Sequence, residues 1–148
     1  MAAFSDRPDL ATVDLSFISL ASILSVLPPL LTSSGKILAL IKPQFEVGKG
    51  HVGKGGVVRD AEAHRLVITK VGRRATELGL QILGAAPSCL LGPKGNREFF
   101  IYLSKIVTGP LTEIRADFNP EEAAEQAVGA GQFDRLSAQP EPSRGGDV

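Results

Sequence analysis

Tryptophan is absent from this 148-residue chain, and cysteine, tyrosine and methionine occur once each. A single cysteine, Cys89, cannot build an internal disulfide framework, so the fold must rest on packing and hydrogen bonds, and a reducing compartment is the expected setting. Two histidines, His51 and His64, offer no metal-ligand spacing. Aromatic residues are scarce at 5%. Phe99, Phe100 and Tyr102 fall inside the apolar run "EFFIYLSK", which suits core packing better than a base-stacking platform. Long hydrophobic runs are missing too. The stretch Leu20–Leu31 is broken by serines and by Pro28-Pro29, is too short to span a bilayer, and no secretory leader is visible. No strongly cationic amphipathic helix stands out, which leaves membrane lysis without support. A soluble, cytoplasmic protein with no membrane partner is expected.

Net charge is zero in sum, yet the two signs are segregated. Residues 36–105 hold twelve Lys/Arg against five Asp/Glu, whereas residues 106–148 hold three against eight. A basic middle suits an anionic partner such as RNA, and an acidic end suits solvation. Length and a 43% hydrophobic content fit one globular domain.

Apolar periodicity gives the elements. A short run, Leu10–Val13, closes at Asp14. Helical spacing follows through Leu20, Ile23, Leu24, Leu27 and Leu31, with Ser19 as cap and a bend at Pro28-Pro29. "KILALI" is apolar at nearly every position, as in a parallel strand covered on both faces. Asp60 is placed to cap a helix whose stripe is Val67, Val71, Ala75 and Leu78, and Gly79 to end it. "LQILGAA" and "EFFIYLSK" read as strands joined by the turn-rich "SCLLGPKGNR", the second apolar on both faces and so interior. "NPEEAAEQAV" suits a short helix capped by Asn119, within a tail (108–148) expected to be acidic and largely disordered, beyond a domain ending near residue 107. The order strand, helix, strand, helix, strand, strand predicts an α/β fold with right-handed crossovers and an antiparallel last strand.

In open α/β sheets, ligands sit beyond the carboxyl ends of the parallel strands. Asp14 and Lys42 both end such runs, and Glu98 opens the last strand. If that strand runs antiparallel, all three meet at one edge. A lysine that loses its proton, oriented by carboxylates, suits proton removal from a weakly acidic alcohol. The loop "GKGHVGKG" (48–55) resembles the start of a phosphate loop, but Gly55 stands where magnesium would need Ser or Thr, and no strand immediately precedes it. A cationic loop flanking the crevice fits better, with Lys49, Lys54 and Arg59 placed to touch RNA phosphates. Lys94 and Arg97, beside Glu98, invite the same reading. Phe17 and Phe45 follow the two strand-end residues and are candidates for lining a pocket.

Four motifs in order, "VDLSFISL", "LIKPQFEVG", "VGKGGVVRD" and "GPKGNREFF", resemble the C-terminal part of the haemolysin A (TlyA) family, itself similar to the FtsJ-type ribosomal RNA ribose 2′-O-methyltransferases. The resemblance covers roughly residues 8–104 and implies a Rossmann-like methyltransferase sheet that uses S-adenosylmethionine. It implies a Lys-Asp-Lys-Glu tetrad of which Asp14, Lys42 and Glu98 would be three members. Lys42 would be the base for the ribose 2′-hydroxyl, with Asp14 and Phe17 as cofactor contacts. The family's S4-type RNA-binding domain, first tetrad lysine and glycine-rich cofactor turn find no counterpart, so the C-terminal half of such a sheet is expected. That makes a non-catalytic RNA-binding remnant the alternative, and leaves the first strand with an open edge prone to self-association.

Overall fold

The computed structural model describes residues 6–48, 52–105 and 119–137, the last seven in backbone only. Four strands form one mixed sheet: β1 (Leu10–Val13), β2 (Lys36–Ile41), β3 (Leu80–Pro87) and β4 (Phe99–Lys105), in the order β1-β2-β4-β3. β1 and β2 are parallel, from Leu10 opposite Lys36 to Val13 opposite Ala39. β4 runs antiparallel to both β2 and β3, as the short link before it predicts.

One sheet face is thoroughly covered. Ile37, Ala39 and Ile41 join Phe99, Ile101 and Leu103 of β4 and Leu80 and Ile82 of β3 in a single buried cluster. The cluster is closed by Val67, Ile68, Val71 and Ala75 of helix α3 (Ala61–Glu77) and by Leu20 and Leu24. The opposite face corrects the expectation that β2 and β4 are covered on both sides. Leu38, Leu40 and Tyr102 are half-buried there and Phe100 is exposed. Leu10, Leu38, Phe100 and Tyr102 line a shallow apolar groove of about 560 Å³ on that side. An apolar pattern on both faces reports what a strand can bury; the neighbours decide what it does bury.

Helix α3 starts and stops as its sequence dictates. Asp60 accepts a bond from the Glu62 amide at 3.1 Å, and Gly79, at φ +73°, ends the helix. The helix expected across Ser19–Leu31 is instead one turn, α1 (Leu20–Ile23), followed by 3₁₀ turns at Leu24–Val26 and Pro28–Leu30. Consecutive prolines lack the amide donors of a longer ladder. Ser19 stands at the cap position without capping through its side chain. Its hydroxyl donates to Glu46 Oε2 at 2.7 Å, while Glu46 Oε1 accepts the Leu20 amide, so the cap comes from α2 (Pro43–Glu46).

The helix expected behind Asn119, within the acidic C-terminal segment, is present and is longer than the sequence suggests. Asn119 and Glu122 form a reciprocal cap at 2.8 and 3.3 Å, opening an 18-residue helix, α4 (Pro120–Ser137). Ala123, Ala124, Ala127 and Val128 are buried, and the helix packs on α3 and β3. Arg65 reaches Glu125 at 2.7 Å and Arg73 reaches Glu121 at 2.6 Å; the Arg73 guanidinium holds the Glu121 carboxyl below the ordinary glutamate range. Small alanines carry little hydrophobic signal, which is why this face reads as solvated. The remainder of the expected tail, 108–118 and 138–148, lies outside the described residues. No helix among the described residues is long and apolar enough to cross a membrane.

Candidate active site

Strand directions decide which residues meet. β1 and β2 point the same way, so Asp14 and Lys42 emerge at the same sheet edge. Phe99 pairs with Ile41, and β4 runs the other way, so Glu98 enters the sheet at that edge. Lys42 ends β2 in extended geometry, and Pro43 in the first helical position starts α2 at once. The strand therefore cannot carry the lysine further from the rim.

Lys42 Nζ lies 2.6 Å from Asp14 Oδ1 and donates to Ser16 Oγ at 3.1 Å. The lysine side chain is only 12% exposed, whereas that of Asp14 is 68% exposed. A sheltered amine is thus held by a carboxylate that remains open to solvent. Glu98 is brought to the same edge but to a different partner. It is buried at 6% exposure, and its Oε1 accepts Gln44 Nε2 at 3.2 Å. Gly92 packs against this carboxylate, where a Cβ would overlap it. The structure therefore gathers Asp14, Lys42 and Glu98 at one rim, the first two in direct contact and the third held through Gln44.

Beside this rim lies a cavity of about 420 Å³, lined by Ser16, Lys42 and Gln44, by the rings of Phe17 and Phe45, and by Lys94 and Asn96. Its size falls within the range of small-ligand sites. Phe17 is held at φ +65°, a left-handed conformation that costs a side-chain-bearing residue roughly 1–2 kcal/mol. That conformation leaves its ring 91% exposed and 5.0 Å from the Phe45 ring centroid. Phe17 thus sets an open aromatic face at the cavity wall, a surface on which a flat ring can stack. Among the described residues no group of three or more His, Cys, Asp or Glu is placed to hold a metal.

Asn96 buckles the two glycine-rich turns that wall the cavity. Buried at 2% exposure, it accepts the Val58 amide at 3.0 Å and donates to the carbonyls of Gly56 and Pro93 at 3.0 and 3.1 Å. His64 Nε2 donates to Val58 O at 3.0 Å, fixing the same loop from below. The cations expected to meet RNA are divided. Lys94 lines the cavity and the half-buried Arg97 follows two residues before the strand. Lys54 and Arg59 line a separate cleft of about 520 Å³. None of these four forms an ion pair with another described residue. Lys49 lies outside the described residues. Ser16, Gln44 and Asn96 escape the sequence reading, because an uncharged polar residue beside a motif carries no periodic or spacing signal.

Residues 1–105 match the family model described as FtsJ-like methyltransferase. The 16S/23S rRNA (cytidine-2'-O)-methyltransferase TlyA of Mycobacterium tuberculosis is 48% identical over 101 residues, covering 68% of this chain and 38% of that protein. Hemolysin A of Brachyspira hyodysenteriae is 31% identical over 100 residues, covering 67% of this chain and 42% of its own length. The crystal structure of a candidate hemolysin from Lactococcus lactis superposes with a TM-score of 0.70 at 39% identity, covering 82% of this chain and 57% of that one. The chain thus spans about two-fifths of the length of these curated relatives. The superposition agrees with the α/β architecture expected from the strand order and with the Rossmann-like methyltransferase fold that the resemblance implies.

Proposed function

The chain belongs to the FtsJ-like methyltransferase family, and from that premise we propose that it carries the ribose-activating part of a cytoplasmic ribosomal RNA 2′-O-methyltransferase. The observation that carries the reading is the sheltered Lys42 amine, 2.6 Å from Asp14, opening on a nucleoside-sized cavity. Relatives whose names give them cytidine-2'-O-methyltransferase activity on ribosomal RNA support the choice of acceptor.

In this reading Lys42 Nζ takes the proton from the ribose 2′-oxygen. Asp14 and Ser16 hold the amine in place for that transfer, and a positioned base of this kind contributes roughly 10²–10⁴-fold to rate. Glu98 supplies the second carboxylate of the rim. When bound, S-adenosylmethionine supplies a methyl group whose carbon–sulfur bond breaks as the carbon–oxygen bond forms, and Asp14 and Phe17 are the residues that would hold it. Lys54, Arg59, Lys94 and Arg97 contact phosphates and position the strand without reading its sequence, Lys49 being the fifth member of that set. The open edge of β1 serves self-association.

The test is product analysis. The chain, alone and fused behind the N-terminal region of a longer relative, is incubated with ribosomal RNA and methyl-labelled S-adenosylmethionine. Label recovered in a 2′-O-methylated nucleoside, and lost when the acceptor lacks its 2′-hydroxyl, is the expected result. Salt-sensitive RNA binding without any transferred label contradicts it and favours a non-catalytic RNA-binding protein.

A further inference from the structure

One buried polar atom of a cavity-lining residue has no partner among the described residues. Gln44 lies in the single turn of α2, two residues beyond Lys42, and lines the same cavity. A carboxylate only accepts hydrogen bonds, so the bond to Glu98 fixes the amide with Nε2 towards Glu98 and Oε1 turned away. Oε1 is buried and accepts no hydrogen bond from any described residue. Buried carbonyls almost always have a donor, and a site that leaves one orphaned is incomplete.

The described neighbours do not supply that donor. The Lys42 amine is directed to Asp14 and Ser16. Both bonds donated by the Asn96 amide go to main-chain carbonyls, of Gly56 and Pro93. Gln44 lines the cavity, so a ligand entering there can bring the donor that the described residues do not supply.

We propose that Gln44 is a nucleoside-binding residue: Oε1 receives an O–H or N–H group of the nucleoside brought into the cavity, while Nε2 keeps Glu98 at the rim. The proposal rests on the reading of this cavity as the acceptor-ribose site, and it gives the amide a role in orienting the ribose toward Lys42. One side chain then couples the ligand to the buried carboxylate. An apolar residue of the same length serves neither function.

Nitrogen-15-labelled chain titrated with cytidine tests this by following the Gln44 side-chain amide resonances. They are expected to shift and saturate with ligand, and Gln44→Met is expected to weaken cytidine binding about fivefold or more, the loss of one hydrogen bond, and to lower the melting temperature because the buried Glu98 carboxylate loses its donor. The wild-type titration does not depend on the variant folding. Resonances that stay still at saturation, a Gln44→Met chain that binds as the wild type does, or no cytidine binding at all overturn the proposal. Cytidine binding at Gln44 without methyl transfer keeps it and removes the methyltransferase reading; methyl transfer with Gln44 unmoved does the reverse.

Discussion

Glu98 is a buried carboxylate whose hydrogen-bond donor among the described residues is the Gln44 amide, and it fits because Gly92 brings no side chain against it. Gly92 sits at φ −74°, open to any residue on backbone grounds, so the constraint is steric. Gly92→Ala is therefore expected to overpack the site and destabilise the fold by about 1–3 kcal/mol, read as a lower urea midpoint; an unchanged midpoint contradicts the close approach. Charged residues at strand ends are legible in a sequence because burial and charge change abruptly there, which is how Asp14 and Lys42 stand out. Gln44 does not, since its importance lies in an atom left without a donor, a property of three-dimensional neighbours alone. Phe17 was legible as an aromatic after a strand end, but its left-handed backbone was not, since that conformation is set by the turn between Asp14 and α1.

Among the elements, β1 is the least protected. Leu10–Val13 contains neither charge nor proline, and among the described residues it pairs on one side only, with β2. Such an edge is a template for another strand. Sedimentation at rising concentration is expected to show self-association that Thr12→Lys suppresses; a wild-type chain that stays monomeric at high concentration removes β1 as an interface. The other elements show where periodicity informs and where it fails. Helix α3 was legible because cap, stripe and terminating glycine agree, each a local signal. α1 is shorter than its leucine spacing, which continues through prolines that break the ladder; Ser19 stands at its N-cap as expected, but the capping carboxylate, Glu46, arrives from another element. α4 was undervalued because its contacts are alanines, whose worth depends on how closely α3 and β3 approach.

At the scale of the molecule, the decisive property is the mixed sheet direction. Parallel β1 and β2 deliver Asp14 and Lys42 to one rim, and antiparallel β4 delivers Glu98 to it from the opposite direction. The short link before β4 made this direction legible, and the location of the rim follows from it. The apolar far face was not legible as uncovered, because hydrophobic pattern records capacity and not cover. The proposed chemistry depends on the amine of Lys42. Its most direct test is the rate of methyl transfer to ribosomal RNA by the Lys42→Ala form of the fused chain, measured beside wild type with melting temperatures for both. A fall of about 100-fold or more at nearly unchanged melting temperature is predicted for a lost general base at a rim position; transfer at the wild-type rate contradicts the assignment.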